Sequence, residues 1–174
     1  DAGVEWVNKG PGNGGSRTAL QSGNEMTGSR WGLRGVEDLG GGLKGIFNLE
    51  SGFNVDTGTS GQGGRLFGRN AYVGLQGQWG QLTLGRQTNL LYDFTTKYDP
   101  MALTSRYSIL SQDAAMGGRA DNAVKYIGTF GGLTASALYS TRNDGQEIAG
   151  NNKVGREWSA GANYAAGPFS IGAV

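Results

Sequence analysis

The fold class predicted by this sequence is all-β, a transmembrane antiparallel up-and-down β-barrel. Three observations predict it. Short segments alternate apolar and polar residues with period two, as strands with one apolar face do. Glycine-rich turns and long polar connections follow one another in strict alternation. No run of about 18 apolar residues occurs, so no transmembrane helix is encoded, and the mean hydropathy is −0.39. A membrane barrel gives such a value because only alternate residues meet lipid.

Taken in order, partial strands are expected at 1–7 and near 30–37. In RWGLRGV, Trp31, Leu33 and Gly35 share one face and Arg30, Gly32 and Arg34 the other. An arginine facing lipid near the midplane costs about 2–4 kcal/mol, so both arginines must face water. Residues 43–53 set Leu43, Phe47, Leu49 and Phe53 against Lys44, Asn48 and Glu50. Strands follow at 70–76 and 81–85, near 122–129, at 133–140 and 157–164, and in part at 169–174, about nine in all. Ile46 and Leu138 break the alternation.

Short turns fall near 39–42, 77–80, 130–132 and 165–168, and long connections near 8–28, 54–65, 88–120 and 141–156. A meander whose ends meet different compartments separates its loops in this way. A soluble sandwich meets one solvent at both ends. Trp31, Trp79, Tyr126, Trp158 and Tyr164 lie near strand ends, where aromatic girdles form at membrane interfaces. Asp1 and Val174 both fall inside strand patterns, so we expect a piece of a longer protein.

The longest connection, TNLLYDFTTKYDPMALTSRYSILSQDAAMGGRA, stops alternating for some thirty residues. Structureless loops of that length usually have a task of their own. We expect residues 88–120 to fold against the inside of the wall. Asp93, Asp99 and Asp113 lie within it, Arg86 precedes it and Arg119 closes it.

Composition removes whole classes of function. The 174 residues include 34 glycines, no cysteine and no histidine, and the net charge is +1. Disulfides, thiolate nucleophiles and Ser-His-Asp catalysis are excluded within this chain. A near-balanced charge gives no global field for nucleic acid. The GQGGRLFG stretch lacks the GK[ST] ending of a phosphate loop and reads as an outer loop. Asp56 has no acid at calcium-loop spacing. Glu37 and Asp38 are neighbours on a strand and point to opposite faces, so they cannot flank one glycosidic bond. No catalytic, metal or cofactor site is expected, and no enzyme.

The arginines stand out instead. Arg30 and Arg34 share a strand face, and simple alternation from Leu82 and Leu84 would put Arg86 on the lipid face. Arg86 must then lie beyond the apolar band as a rim charge, or be turned inward by a bulge at Gly85.

SRWGLRGVEDLGGGLKGIFNLESGF, GRNAYVGLQGQWGQLTLGRQ and DNAVKYIGTFGGLTASALYS together resemble the trimeric general porins of beta-proteobacteria over nearly the whole chain. The resemblance implies sixteen antiparallel strands per subunit, with residues 1–174 as the N-terminal half of one barrel. It implies a third outer loop folded into the lumen, three subunits side by side, and an outer-membrane location among lipid and lipopolysaccharide. The arginines of SRWGLRG (Arg30), LGRQ (Arg86) and GGRADNAVKY (Arg119) match basic positions of the family's constriction, and Arg34 a neighbouring one. The later loop departs from the PEFGGD pattern of enterobacterial porins, so Asp93, Asp99 and Asp113 all stay open as the acids facing them. The implied function is passive diffusion of ions and small hydrophilic solutes, weakly anion-selective because arginine rings favour anions. The alternatives are a barrel with an adhesive or structural role and a soluble carbohydrate-binding β-sandwich.

Overall fold

The computed structural model describes residues 2–7, 15–22, 28–101, 108–109, 118–151 and 153–174. Strands β1 (Ala2–Val7) and β2 (Arg17–Ser22) pair antiparallel in a sheet of their own. The next eight form one antiparallel sheet in chain order: β3 (Arg30–Gly40), β4 (Leu43–Gly52), β5 (Asn70–Gly77), β6 (Gly80–Thr88), β7 (Arg119–Phe130), β8 (Leu133–Ser140), β9 (Glu157–Ala166) and β10 (Phe169–Ala173). A left-handed turn, α1 (Gly61–Gly64), and a helix, α2 (Leu90–Tyr98), lie in the connections.

The described strands number ten, where about nine were expected. The added one is β2, inside the predicted connection 8–28. Its RTALQS sequence offers only Ala19 and Leu20, on opposite faces, so period two carries no signal there. A second correction concerns 88–120, which is not irregular throughout: residues 90–98 are helical and 119–120 already belong to β7.

Directly paired residues of antiparallel strands share a face, so the register traces rows across the sheet. One row runs Gly35, Phe47, Val73, Leu84, Val124, Tyr139, Trp158 without a break. Every side chain in it from Phe47 onward is exposed. A seven-strand apolar stripe with no cover from this chain is what hydrocarbon outside a barrel would meet. The neighbouring row runs Val36, Ile46, Gly74, Thr83, Lys125, Leu138, Ser159 on the opposite, mostly polar face. Both residues that broke the alternation, Ile46 and Leu138, belong to it.

Helix α2 explains Leu138. Asn89 caps the helix, its side-chain oxygen accepting from the Tyr92 N–H at 2.8 Å. Asp93 in the first turn and Lys97 in the last suit the helix dipole. The helix stops at Asp99 because Pro100 disfavours helical geometry in the residue before it. Leu90 packs with Leu138, Ala120 and Ala123 to form the buried apolar cluster of the described residues. Further along, the Phe94 ring lies over Gly161 and Gly172, where added β-carbons would stand 2.7 and 3.0 Å from it. Lys97 donates to Asn163, and the Tyr98 and Ser170 hydroxyls are 2.9 Å apart. The helix therefore lies on the polar face of β7–β10.

Gly161 is the contact to test. Gly161→Val puts side-chain atoms where Phe94 sits. Limited proteolysis should then cut within residues 90–101 several times faster, while strand content by circular dichroism stays unchanged.

Candidate functional site

Guanidinium groups gather at the end of the sheet where the long connections lie. Arg30 stands opposite Gly52 in the β3–β4 register. Arg69 crosses above Gly52, its Cδ 3.2 Å from where a β-carbon there would be. Its Nε donates to Glu50 Oε1 at 2.6 Å, and its own N–H to the Glu50 carbonyl at 3.0 Å. Two further arginines grip successive carbonyls just before β5. Arg86 Nε donates to Gly68 O at 2.8 Å and Arg119 Nε to Arg69 O at 2.8 Å. The Arg119 guanidinium also lies 5.8 Å from the centroid of the Tyr92 ring on α2, within cation–π range.

Asp121 joins the cluster to the loops. Its Oδ1 pairs with Arg86 Nη1 at 2.7 Å and its Oδ2 with Arg65 Nη1 at 2.6 Å. Arg65 reaches on to the Asp144 carbonyl at 3.2 Å. The register places a bulge here, since Arg86 alone on β6 faces Asp121 and Asn122 on β7. The extra residue is on β7, with Asn122 at φ 48°. Gly85 adopts φ 127°, and a β-carbon on it would strike the Ala71 carbonyl. This local twist carries Arg86 away from the apolar row and towards Asp121. Arg34, exposed on the polar face, makes no ion pair among the described residues.

Two of the predicted loop acids have partners among the described residues. Asp93 meets Lys125 of β7 rather than an arginine, and accepts from Thr88 Oγ1 at 2.7 Å. Lys125 is 5 % exposed. Its ammonium donates to Asp93, to Thr88 O at 2.9 Å and to Thr88 Oγ1 at 3.5 Å, so its three protons have partners. Asp99 is buried within its own connection, accepting from Ser108 Oγ at 2.5 Å and the Met101 N–H at 3.1 Å. Asp113 lies outside the described residues.

Sequence reading missed Arg65, Arg69, Lys125, Glu50 and Asp121. Lys125 had a usable signal. Register with Thr83 puts it on the polar face, and a lysine inside a membrane strand must face water or a carboxylate. Arg65 and Asp121 had none, because their meeting depends on how the 53–69 connection folds back.

In the exposed 141–156 connection, Asp144 Oδ1 accepts from the Gln146 N–H at 2.9 Å and from Arg142 Nε at 2.8 Å. These bonds hold its carboxyl below the usual carboxylate range, the Gln146 N–H contributing most.

The profile of the Gram-negative porin family matches residues 1–174. An outer membrane porin protein of Bordetella pertussis is 38 % identical over 161 residues, covering 84 % of this chain and 41 % of that protein. Outer membrane porin protein 32 of Delftia acidovorans is 36 % identical over 179 residues, covering 98 % and 50 %. Among solved structures, an anion-selective porin from Comamonas acidovorans superposes with a TM-score of 0.78 at 34 % identity, covering 99 % of this chain and 53 % of that one. The chain spans about half the length of the relatives it matches. A lipid-facing meander with a basic wall at its long-loop end defines an outer-membrane β-barrel. The chain belongs to the Gram-negative porin family.

Two outcomes are expected. Asp121→Asn weakens two charged contacts and should lower stability by about 1–3 kcal/mol, read as a lower urea midpoint in detergent. Asp144 has a depressed folded pKa, so its contribution is full above the unfolded value of about 4 and fades as pH falls below it. Hydrogen exchange in residues 141–151 should rise on acidification through that range, and Asp144→Asn should remove the pH dependence.

Proposed function

We propose that the protein containing this chain is a passive diffusion channel for ions and small hydrophilic solutes, weakly selective for anions, with the polar face as its lumen. The carrying observation is the charge imbalance of the wall. Among the described residues, five guanidinium groups of the wall, Arg34, Arg65, Arg69, Arg86 and Arg119, have two carboxylates bonded to them, Glu50 and Asp121. The anion-selective relative from Comamonas acidovorans supports the same sign.

The mechanism needs no chemical step. At 4 Å a charge pair interacts with about 1 kcal/mol in water and about 4 kcal/mol at an effective dielectric constant near 20. Low-dielectric walls around a narrow aqueous path thus strengthen the pull of the arginines on passing anions. Arginine stays protonated throughout, and its planar fork suits carboxylate and phosphate groups. In this reading residues 88–120 narrow the bore, α2 being fastened by Asp93 to Lys125 and by Phe94 to its glycine floor. Asp93 then neutralises a buried lysine rather than one of the arginines. Three such subunits side by side, set in lipid and lipopolysaccharide, complete the reading, and chemical cross-linking in native membranes checks the trimer.

The deciding measurement is the zero-current potential of the full-length protein in a planar bilayer under a KCl gradient. Its sign should show chloride preference, and Arg30→Ser, Arg69→Ser and Arg119→Ser together should move it towards or past zero. A cation preference in the unmodified channel sinks the selectivity, and absence of conductance sinks the channel.

A further inference from the structure

Four aliphatic residues, Val36, Ile46, Ile127 and Leu138, stand on the polar face by register. Two of them have a reason to be there. Leu138 is buried in the cluster with Leu90, and Ile127 lines a small cavity with Leu90 and Phe94 of α2. Val36 and Ile46 sit directly opposite each other on β3 and β4, at the other side of the sheet from the helix. Val36 is 66 % exposed.

Around this pair lies a groove of about 380 Å³, lined on the polar side by Arg34, Asn48, Tyr72, Gln76 and Gln81. Its volume falls in the range of small-molecule sites. Arg34 is its one cation; of the acids on that face beside it, Glu50 is held by Arg69 at 2.6 Å and Asp38 stands directly opposite Lys44. Arg65, Arg69, Arg86, Arg119 and Arg142 each hold a carboxylate or a carbonyl. Arg34 and Val36 are two residues apart on one face, about 7 Å along the strand, close to the length of a benzoate ion.

We propose that this groove is a subsite for small aromatic carboxylates, distinct from the arginine cluster at the long-loop end. The carboxylate pairs with Arg34, the ring lies on Val36, Ile46 and Tyr72, and Asn48, Gln76 and Gln81 offer bonds to ring hydroxyls. The groove is open to the bore, so residence is brief, as passage requires. This inference rests on the channel reading above.

The test uses the full-length protein in planar bilayers, with KCl conductance measured first and then its reduction by benzoate or acetate. Benzoate should half-block at about one-tenth of the acetate concentration, since its ring adds apolar contact that acetate lacks. Val36→Thr with Ile46→Thr, which keep β-branched, strand-compatible side chains while removing apolar contact, should bring the two anions to within about threefold. The ratio cancels changes in open-channel conductance. Absence of any KCl current overturns the channel reading and the subsite with it. Normal current with equal block by the two anions in the unmodified protein overturns the subsite alone, and needs no variant to fold. A benzoate preference that survives the double substitution also overturns it, because the ring then rests elsewhere.

Discussion

In hydrocarbon a backbone N–H or C=O without a partner costs several kcal/mol, and no water is present to supply one. The eight-stranded meander follows from that constraint. Each strand from β4 to β9 pairs on both sides with its sequence neighbours, and side-chain alternation then sorts lipid from water. The unbroken row from Phe47 to Trp158 records the outward half of this sorting. Lys125 and Arg34 record the inward half: each would be prohibitively placed if the register slipped by one residue.

How much of this could be read in advance differed by length scale. Period two revealed the strands, because alternation is a local property of a sheet with two unlike faces. It failed at β2, where Ala19 and Leu20 fall on opposite faces. It also failed at Ile46 and Leu138, whose surroundings are set by a distant helix or by none. Helix α2 had local cues in the Asn89 cap and Pro100, but the long connection masked them. The arginine cluster was legible only in part. Arg30, Arg34, Arg86 and Arg119 stand out on strand faces or at loop roots, whereas Asp121 meets Arg65 across 56 positions of chain. Nothing in a local window predicts such an encounter.

The acids show why charge counting was insufficient. Three aspartates in the long connection suggested a set facing the arginines. Asp93 meets a 5 % exposed lysine, Asp99 accepts from a serine hydroxyl within its own connection, and Asp113 lies outside the described residues. Burial decides these pairings, since an unpaired buried ammonium costs far more than an exposed arginine without a carboxylate. Among the described residues, Glu50 and Asp121, which pair with Arg69, Arg65 and Arg86, come from the wall itself.

Helix α2 is moored on β7–β10, while Arg30, Arg34 and Arg69 come from β3, from the same strand again, and from the approach to β5. Girth and charge in the proposed bore are thus written by separate stretches of chain. A lineage can narrow or widen the proposed passage through Phe94, Gly161 and Gly172 without disturbing the anion preference proposed for it. It can equally recast that preference through three codons upstream of the helix, and leave the gauge of the opening untouched.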